Sequence, residues 1–125
     1  MIERETIIGN YIDAYNRFDV ERMVKNFHEE IRFENINQGK VTLSLSGLSA
    51  FKEQANEARH YFSVRKQTPR SFRHHKNSSE VDLDYYAVLA IDLPNGLKKG
   101  DELKLQGRSV FTFTGTKIIM LTDIS

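Results

Sequence analysis

Imidazole is the side chain whose charge changes near neutral pH, so the four histidines are the first place to look for chemistry. His74 and His75 are consecutive in a segment without helical period. On an extended chain they point to opposite faces and cannot hold one metal ion together. His28 reads as the end of a second helix, where a cation suits the dipole, and His60 lies on a third helix, off its apolar stripe. No His-x-His or His-x-x-x-His spacing occurs and cysteine is absent, so no metal centre, thiolate nucleophile, disulfide framework or cofactor is expected. His75 is the best candidate for a single inward base. The run from Arg65 to Lys76 holds Arg65, Lys66, Arg70, Arg73 and Lys76 and no acid. Strict alternation puts Arg65 and Arg73 on one face and Lys66, Arg70 and Lys76 on the other. This run reads as a solvated sheet face or pocket rim, with an anion site or partner surface as the functional alternative. Net charge is +1 and no aromatic ladder accompanies the run, so a nucleic-acid partner is not expected.

These residues must be positioned by two kinds of element. Ile8, Tyr11, Ile12 and Tyr15 recur at i, i+3, i+4, i+7, one stripe of an amphipathic helix that Phe18 extends toward a break. Asp19 is an N-cap for a second, short helix whose stripe is Val20, Met23, Val24 and Phe27. The period then drops to two. Ile31, Phe33 and Asn35 face one way and Arg32, Glu34 and Ile36 the other, which predicts a strand. Val41, Leu43 and Leu45 predict a second, brief strand. Gly47 opens a third helix with stripe Leu48, Phe51, Ala55, Ala58 and Phe62. Beyond it the chain is extended from Val64 to Asn77. Long alternations follow at Val81 to Leu93, Leu103 to Phe113, and Ile118, Met120, Thr122, Ile124. Short turns between them predict an antiparallel meander, and Gly107 inside a strand predicts a bulge or bend.

The chain of 125 residues is expected to be one domain, 1–125, with room for a real core. Hydrophobic residues are 39% and charged residues 28%, an ordinary globular composition. The segment beginning Met1-Ile2-Glu3-Arg4-Glu5 lacks the apolar core of a signal peptide, and no apolar run approaches a bilayer span. A cytoplasmic location without membrane contact is therefore expected.

Four stretches carry a resemblance. They are Tyr11-Ile12-Asp13-Ala14-Tyr15-Asn16-Arg17-Phe18-Asp19 at the end of the first helix, Phe27-His28-Glu29-Glu30-Ile31-Arg32-Phe33-Glu34 stepping into the first strand, Ser46-Gly47-Leu48 with Phe51, and Phe111 to Ile118 in the closing hairpin. Together they resemble the nuclear transport factor 2-like superfamily, which includes SnoaL-like polyketide cyclases and ketosteroid isomerases. The resemblance implies an α+β, cystatin-like fold. It is a cone-shaped roll with three N-terminal helices packed on a curved, mixed but mainly antiparallel sheet.

In ketosteroid isomerase-like members a helix-one tyrosine donates to a developing oxyanion, a carboxylate ending strand one moves the proton, and a later-strand acid also donates. The resemblance places these roles on Tyr11, Asn35 and Ser109. An amide cannot accept and hold a proton at neutral pH, so Asn35 disfavours the isomerase reaction. Tyr15, one turn after Tyr11, and Tyr85 also face inward. Met120, Phe33, Phe51, Phe111 and Phe113 are expected as apolar wall. The expected site is thus Tyr11, Tyr15, Asn35, Tyr85 and Ser109, polar but uncharged. It suits a small, partly apolar molecule, bound or turned over in a lyase-, isomerase- or cyclase-type reaction. The alternative is a non-catalytic homodimer formed through the outer sheet face, where Asp82, Asp84, Tyr86, Val88 and Ala90 neighbour Lys104, Gln106, Arg108, Val110 and Thr112.

Overall fold

A computed structural model describes residues 2–125. The order is α1 (Ile2–Asn16), α2 (Val20–Met23), β1 (Phe27–Asn37), β2 (Lys40–Ser46), α3 (Leu48–Ala58), a 3-10 turn (Arg59–Tyr61), β3 (Phe62–His74), β4 (Ser78–Leu89), β5 (Glu102–Thr114) and β6 (Lys117–Ile124). The strands form one sheet in the order β2-β1-β6-β5-β4-β3. Every neighbouring pair is antiparallel except β1 and β6, which run parallel. This is the α+β architecture expected, with α1 on β3 and α3 on β1 and β2.

The α1 stripe closes the core. Ile8, Tyr11, Ile12 and Ala14 are buried against Phe27, Ile31, Val81, Phe111, Ile118 and Leu121. The helix ends in a Schellman motif: Asp19 N–H donates to Ala14 C=O at 2.9 Å and Phe18 N–H to Tyr15 C=O at 3.1 Å. Phe18 occupies the left-handed position at φ 59°, where glycine is usual. Its ring is held there by the Arg65 guanidinium, 4.6 Å from the ring centroid. Asp19 then caps α2, its carboxylate accepting from Arg22 N–H at 3.2 Å.

Helix two is shorter than its stripe. Phe27 already belongs to β1, and Ile118 N–H donates to Asn26 C=O at 2.8 Å, so pairing with β6 takes over from the helix. His28 therefore lies on β1 and accepts from Glu30 N–H at 3.0 Å through Nδ1. Phe62 likewise leaves the third helix for β3, and His60 sits on the intervening 3-10 turn. The long alternation in β4 stops at Leu89, where Gly100 N–H closes the loop on Leu89 C=O at 2.8 Å; Ile91 is exposed.

Two irregularities change which face residues occupy. The β3–β4 register shifts between Pro69 and Ser71. Arg65 and Gln67 are buried under the helices, whereas Arg73 pairs with Asp82 at 2.7 Å and Glu80 at 3.4 Å on the outer face. Arg65 and Arg73 thus lie on opposite faces, not together, because the extra residue reverses the alternation. The β5–β6 register also shifts, between Thr112 and Phe113: Phe113 faces Ile118 but Thr112 faces Met120. At Gly107, by contrast, the β4–β5 register is unbroken. The missing side chain serves a close approach, since a Cβ there would lie 2.9 Å from the Ile124 carbonyl oxygen.

Asn16 joins the helix layer to β3 by bracketing Gln67. Its Nδ2 donates to Gln67 C=O at 3.1 Å and its Oδ1 accepts from Gln67 N–H at 2.8 Å. Asn16→Ala leaves both part-buried backbone groups short of a partner, and denaturant unfolding should show a loss of about 1–3 kcal/mol.

Candidate functional site

Beyond the C-terminal end of α1, a cavity of about 300 Å³ opens between the helix and strands β1, β6, β5, β4 and β3. Its polar lining includes Tyr15, Asn35, Gln67, Tyr85, Ser109, Asp123 and, at the mouth side of β5, Gln106 and Arg108, and its apolar lining includes Leu83, Leu105 and Ile124. Leu105 and Ser125 are exposed, which sets the mouth at that end. Three of the polar groups form one row across three strands. Asn35 pairs with Asp123 between β1 and β6, and Asp123 pairs with Ser109 between β6 and β5. Paired residues project to the same side of a sheet, so an amide, a carboxyl and a hydroxyl stand side by side.

Each is held. Ser109 Oγ donates to Asp123 Oδ1 at 2.6 Å. Asn35 Nδ2 donates to Thr42 Oγ1 at 2.8 Å, which ties the amide to β2. On the opposite wall Tyr15 donates to the Tyr85 hydroxyl at 3.0 Å. Tyr85 is thereby the acceptor of that bond, and its own O–H is free to donate into the cavity.

Burial pushes the Asp123 carboxyl up to about 6, with the Ser109 hydrogen bond pulling the other way. Desolvation disfavours the charged form of a carboxyl, and a single neutral donor offsets only part of that cost. Burial likewise raises the Tyr15 and Tyr85 hydroxyls, so both stay protonated donors at neutral pH. The cavity therefore combines a carboxyl poised near working pH with uncharged donors, an arrangement able to accept a proton at one wall and stabilise developing negative charge at the other.

No family model matches the sequence, and no curated protein matches it. Solved structures do match across 98% of this chain. A candidate SnoaL-like polyketide cyclase from Jannaschia sp. CCS1 superposes with a TM-score of 0.80 at 8% identity, over 84% of its own length. AclR, a candidate hydroxylase from Streptomyces galilaeus, gives 0.77 at 13% identity over 88% of its length. An NTF2-like protein of unknown function from Burkholderia pseudomallei gives 0.73 at 13% identity over 90%. The chain has the NTF2-like, SnoaL-like fold. At such identities the likeness establishes the fold alone.

Within this SnoaL-like fold the expected positions separate. Tyr15, Asn35, Tyr85 and Ser109 are brought together around the cavity; Tyr11 is not. The Tyr11 ring is in the core, stacked on Phe27 at 5.6 Å and edge-on to Phe111 at 5.6 Å. It borders a separate cavity of about 220 Å³ with Asn10, Met23 and Asn26. One helical turn, roughly 5.4 Å along the axis, is what separates it from Tyr15. The apolar wall also differs: Phe33, Phe51, Phe111 and Phe113 line neither cavity, and Met120 pairs with Thr112 on the other face.

Asp123 was missed by sequence reasoning because strict alternation from Ile118 turns it outward. The bulge at Ile119 restores Leu121 and Asp123 to the inner face, opposite Phe111 and Ser109. One signal was available: Leu121 is more apolar than Thr122, so a core-facing Leu121 argues for the shifted register.

The histidines lie elsewhere. His75 is exposed and meets Glu80 at 2.6 Å, away from the cavity. His74 bridges Ser79 Oγ at 2.8 Å and Glu5 at 2.7 Å. A serine, a histidine and a carboxylate in line suggest a nucleophile, but Ser79 is 0% exposed and no substrate can reach it. With Arg4, which donates to His75 C=O at 2.6 Å and Lys76 C=O at 2.6 Å, the group fastens α1 to the β3–β4 turn. Among the described residues no cluster of three His, Asp or Glu could hold a metal, and no helix is long and apolar enough to cross a membrane.

Proposed function

We propose that the chain is an enzyme that moves a proton on a small, partly apolar carbonyl compound, in an isomerase-, lyase- or cyclase-type reaction, with Asp123 as the proton carrier. The observation that carries this reading is Asp123 itself: a cavity carboxyl pushed up to about 6 and bound by Ser109 at 2.6 Å. As a base it takes a proton from carbon activated by a neighbouring carbonyl. Tyr85, supported by Tyr15, donates to the oxygen on which charge develops. Asn35 orients the substrate through its amide. The ketosteroid isomerase-like assignment to Tyr11 and Asn35 is not adopted, since Tyr11 lies in the core and the Asn35 amide cannot accept and hold a proton. The fold's SnoaL-like neighbours, named as polyketide cyclases, make small cyclic or cyclising polyketones the first compounds to try.

The test is exchange of activated C–H for deuterium in cyclic 1,3-diketones, followed by NMR. Wild-type protein should accelerate exchange, with the rate rising as pH climbs through about 6. An equal exchange rate with and without protein across a set of such compounds would remove the enzymatic reading.

A homodimer through the outer face of β3, β4 and β5 is compatible with this function. Charges on that face already pair within the chain, Arg70 with Asp84 at 3.0 Å and Arg73 with Asp82 at 2.7 Å, so a second copy would not have to neutralise them. Sedimentation showing monomer alone at high concentration would exclude it.

A further inference from the structure

Arg65 is 3% exposed, yet among the described residues it pairs with no carboxylate. Its Nε donates to Tyr15 C=O at 2.8 Å, and one Nη lies 3.9 Å from the Met23 sulfur. The guanidinium stacks on Tyr15, 3.8 Å from the ring centroid, and on Phe18 at 4.6 Å. A buried charge is costly unless something of opposite sign compensates it. Two aromatic faces and a carbonyl oxygen provide partial compensation only. Holding Phe18 in a left-handed backbone conformation to complete the stack adds to the cost.

The cation sits at one end of a polar chain that leads into the cavity. A positive charge over the Tyr15 ring draws electron density from it and makes its hydroxyl a stronger donor. Tyr15 donates to Tyr85 at 3.0 Å, and the Tyr85 O–H is free toward the cavity. Successive donors polarise one another, so the last one meets an acceptor with enhanced strength. The acceptor that gains most is an anionic oxygen, which also supplies the missing negative charge. Among the described residues the one acidic side chain lining the cavity, Asp123, is bound to Ser109 on the far strands and gives Arg65 no direct partner.

We propose that Arg65 makes the cavity selective for small conjugated anions, enolates and phenolates, whose charged oxygen accepts a hydrogen bond from Tyr85. The proposal rests on the reading of this cavity as the ligand site, and it names the charge state of what binds there. Such an anion binds with Asp123 protonated, because two adjacent negative charges would repel. Arg65 is a positioning residue here: it acts on the ligand through Tyr15 and Tyr85. Arg65 does not itself line the cavity but stacks on Tyr15, which does; Arg108, which lines it, lies 3.6 Å from Glu80 on the outer face.

The test compares 2,4-dinitrophenolate with its neutral match 2,4-dinitrotoluene, by calorimetry on the full chain at about pH 5, where Asp123 holds its proton. Wild-type protein should bind the anion about tenfold or more tightly than the neutral compound, a difference of about 1.4 kcal/mol. Arg65→Met should bring the two within about threefold while keeping the affinity for dinitrotoluene, which also reports that the cavity is folded. Arg65→Lys should keep part of the preference, and Asp123→Asn should extend it to higher pH. Should Arg65→Met not fold, Tyr15→Phe breaks the chain at its donor and should abolish the preference. A wild-type preference for the neutral compound overturns the proposal without any variant, and so does an anion preference that survives both Arg65→Met and Tyr15→Phe. Binding of neither compound overturns the ligand-site reading and this proposal together, whereas charge-indifferent binding overturns this proposal alone.

Discussion

Asp123→Asn should abolish proton exchange and at the same time make the protein more stable at pH 8. Asparagine has nearly the shape of aspartate and its Oδ1 can still accept from Ser109, so the cavity wall is kept. What disappears is the group able to hold a proton, and a lost general base costs about 10²–10⁴ in rate. The stability change has the opposite sign. A carboxyl moved from 3.8 in the unfolded chain to about 6 in the fold binds its proton more tightly when folded. Its favourable contribution is full below about pH 4 and is lost as pH rises through 6. Above that the native state carries the cost of a buried charge, about 2–3 kcal/mol for a shift of this size. The asparagine variant never incurs that cost. Its melting temperature should equal the wild-type value near pH 4 and exceed it at pH 8, and calorimetry at both pH values checks this. A variant less stable than wild type at pH 8 would mean that the carboxylate is favourably solvated, and the proton-carrier role would lose its physical basis.

The second large effect is expected at Gly107, far in sequence from every chemical group of the site except Ser109. Gly107→Val places a Cβ where the Ile124 carbonyl oxygen approaches to 2.9 Å. That contact is with backbone, which cannot rotate away as a side chain can. The end of β6 must move, and Asp123 lies one residue from it. Overpacking of this kind costs about 1–3 kcal/mol, and the branched side chain also projects into the cavity that Gly107 lines. Ligand affinity and exchange should both fall by at least about tenfold, since a misplacement of about 1 Å is enough to lose 10²-fold in rate. A Gly107→Val protein with unaltered exchange would show that the C-terminal end of β6 takes no part in the site.

Much of the fold can be read from spacing because the core is built by regular periods. Ile8, Tyr11 and Ile12 on α1, and Val81, Leu83 and Ala87 on β4, are buried where their periods put them. The mixed sheet and helix layer follow from that pattern together with the resemblance. What spacing could not supply were the places where one extra residue enters a strand. The shift beyond Pro69 sends Arg73 outward while Arg65 stays inside, and the shift at Ile119 brings Asp123 inward. Pro69 borders the first and marks it only loosely, and no glycine or proline marks the second. Tyr11 shows a different limit. It lies on the stripe predicted, but a stripe specifies a face and not a depth along the helix axis, and the cavity is one turn further along at Tyr15.

The row of Asn35, Asp123 and Ser109 has an evolutionary consequence. Three strands present three neighbouring positions to the same space, so a carboxylate placed at any of them reaches much the same substrate. A reaction can therefore migrate from one strand to the next through two point substitutions, with the backbone unchanged. Lineages that diverged by such exchanges would keep the chemistry while sharing no aligned catalytic residue. The double variant Asn35→Asp with Asp123→Asn re-enacts one such move, and recovery of activity in it would show that the position of the charge in space, not its place in the alignment, is what selection holds constant.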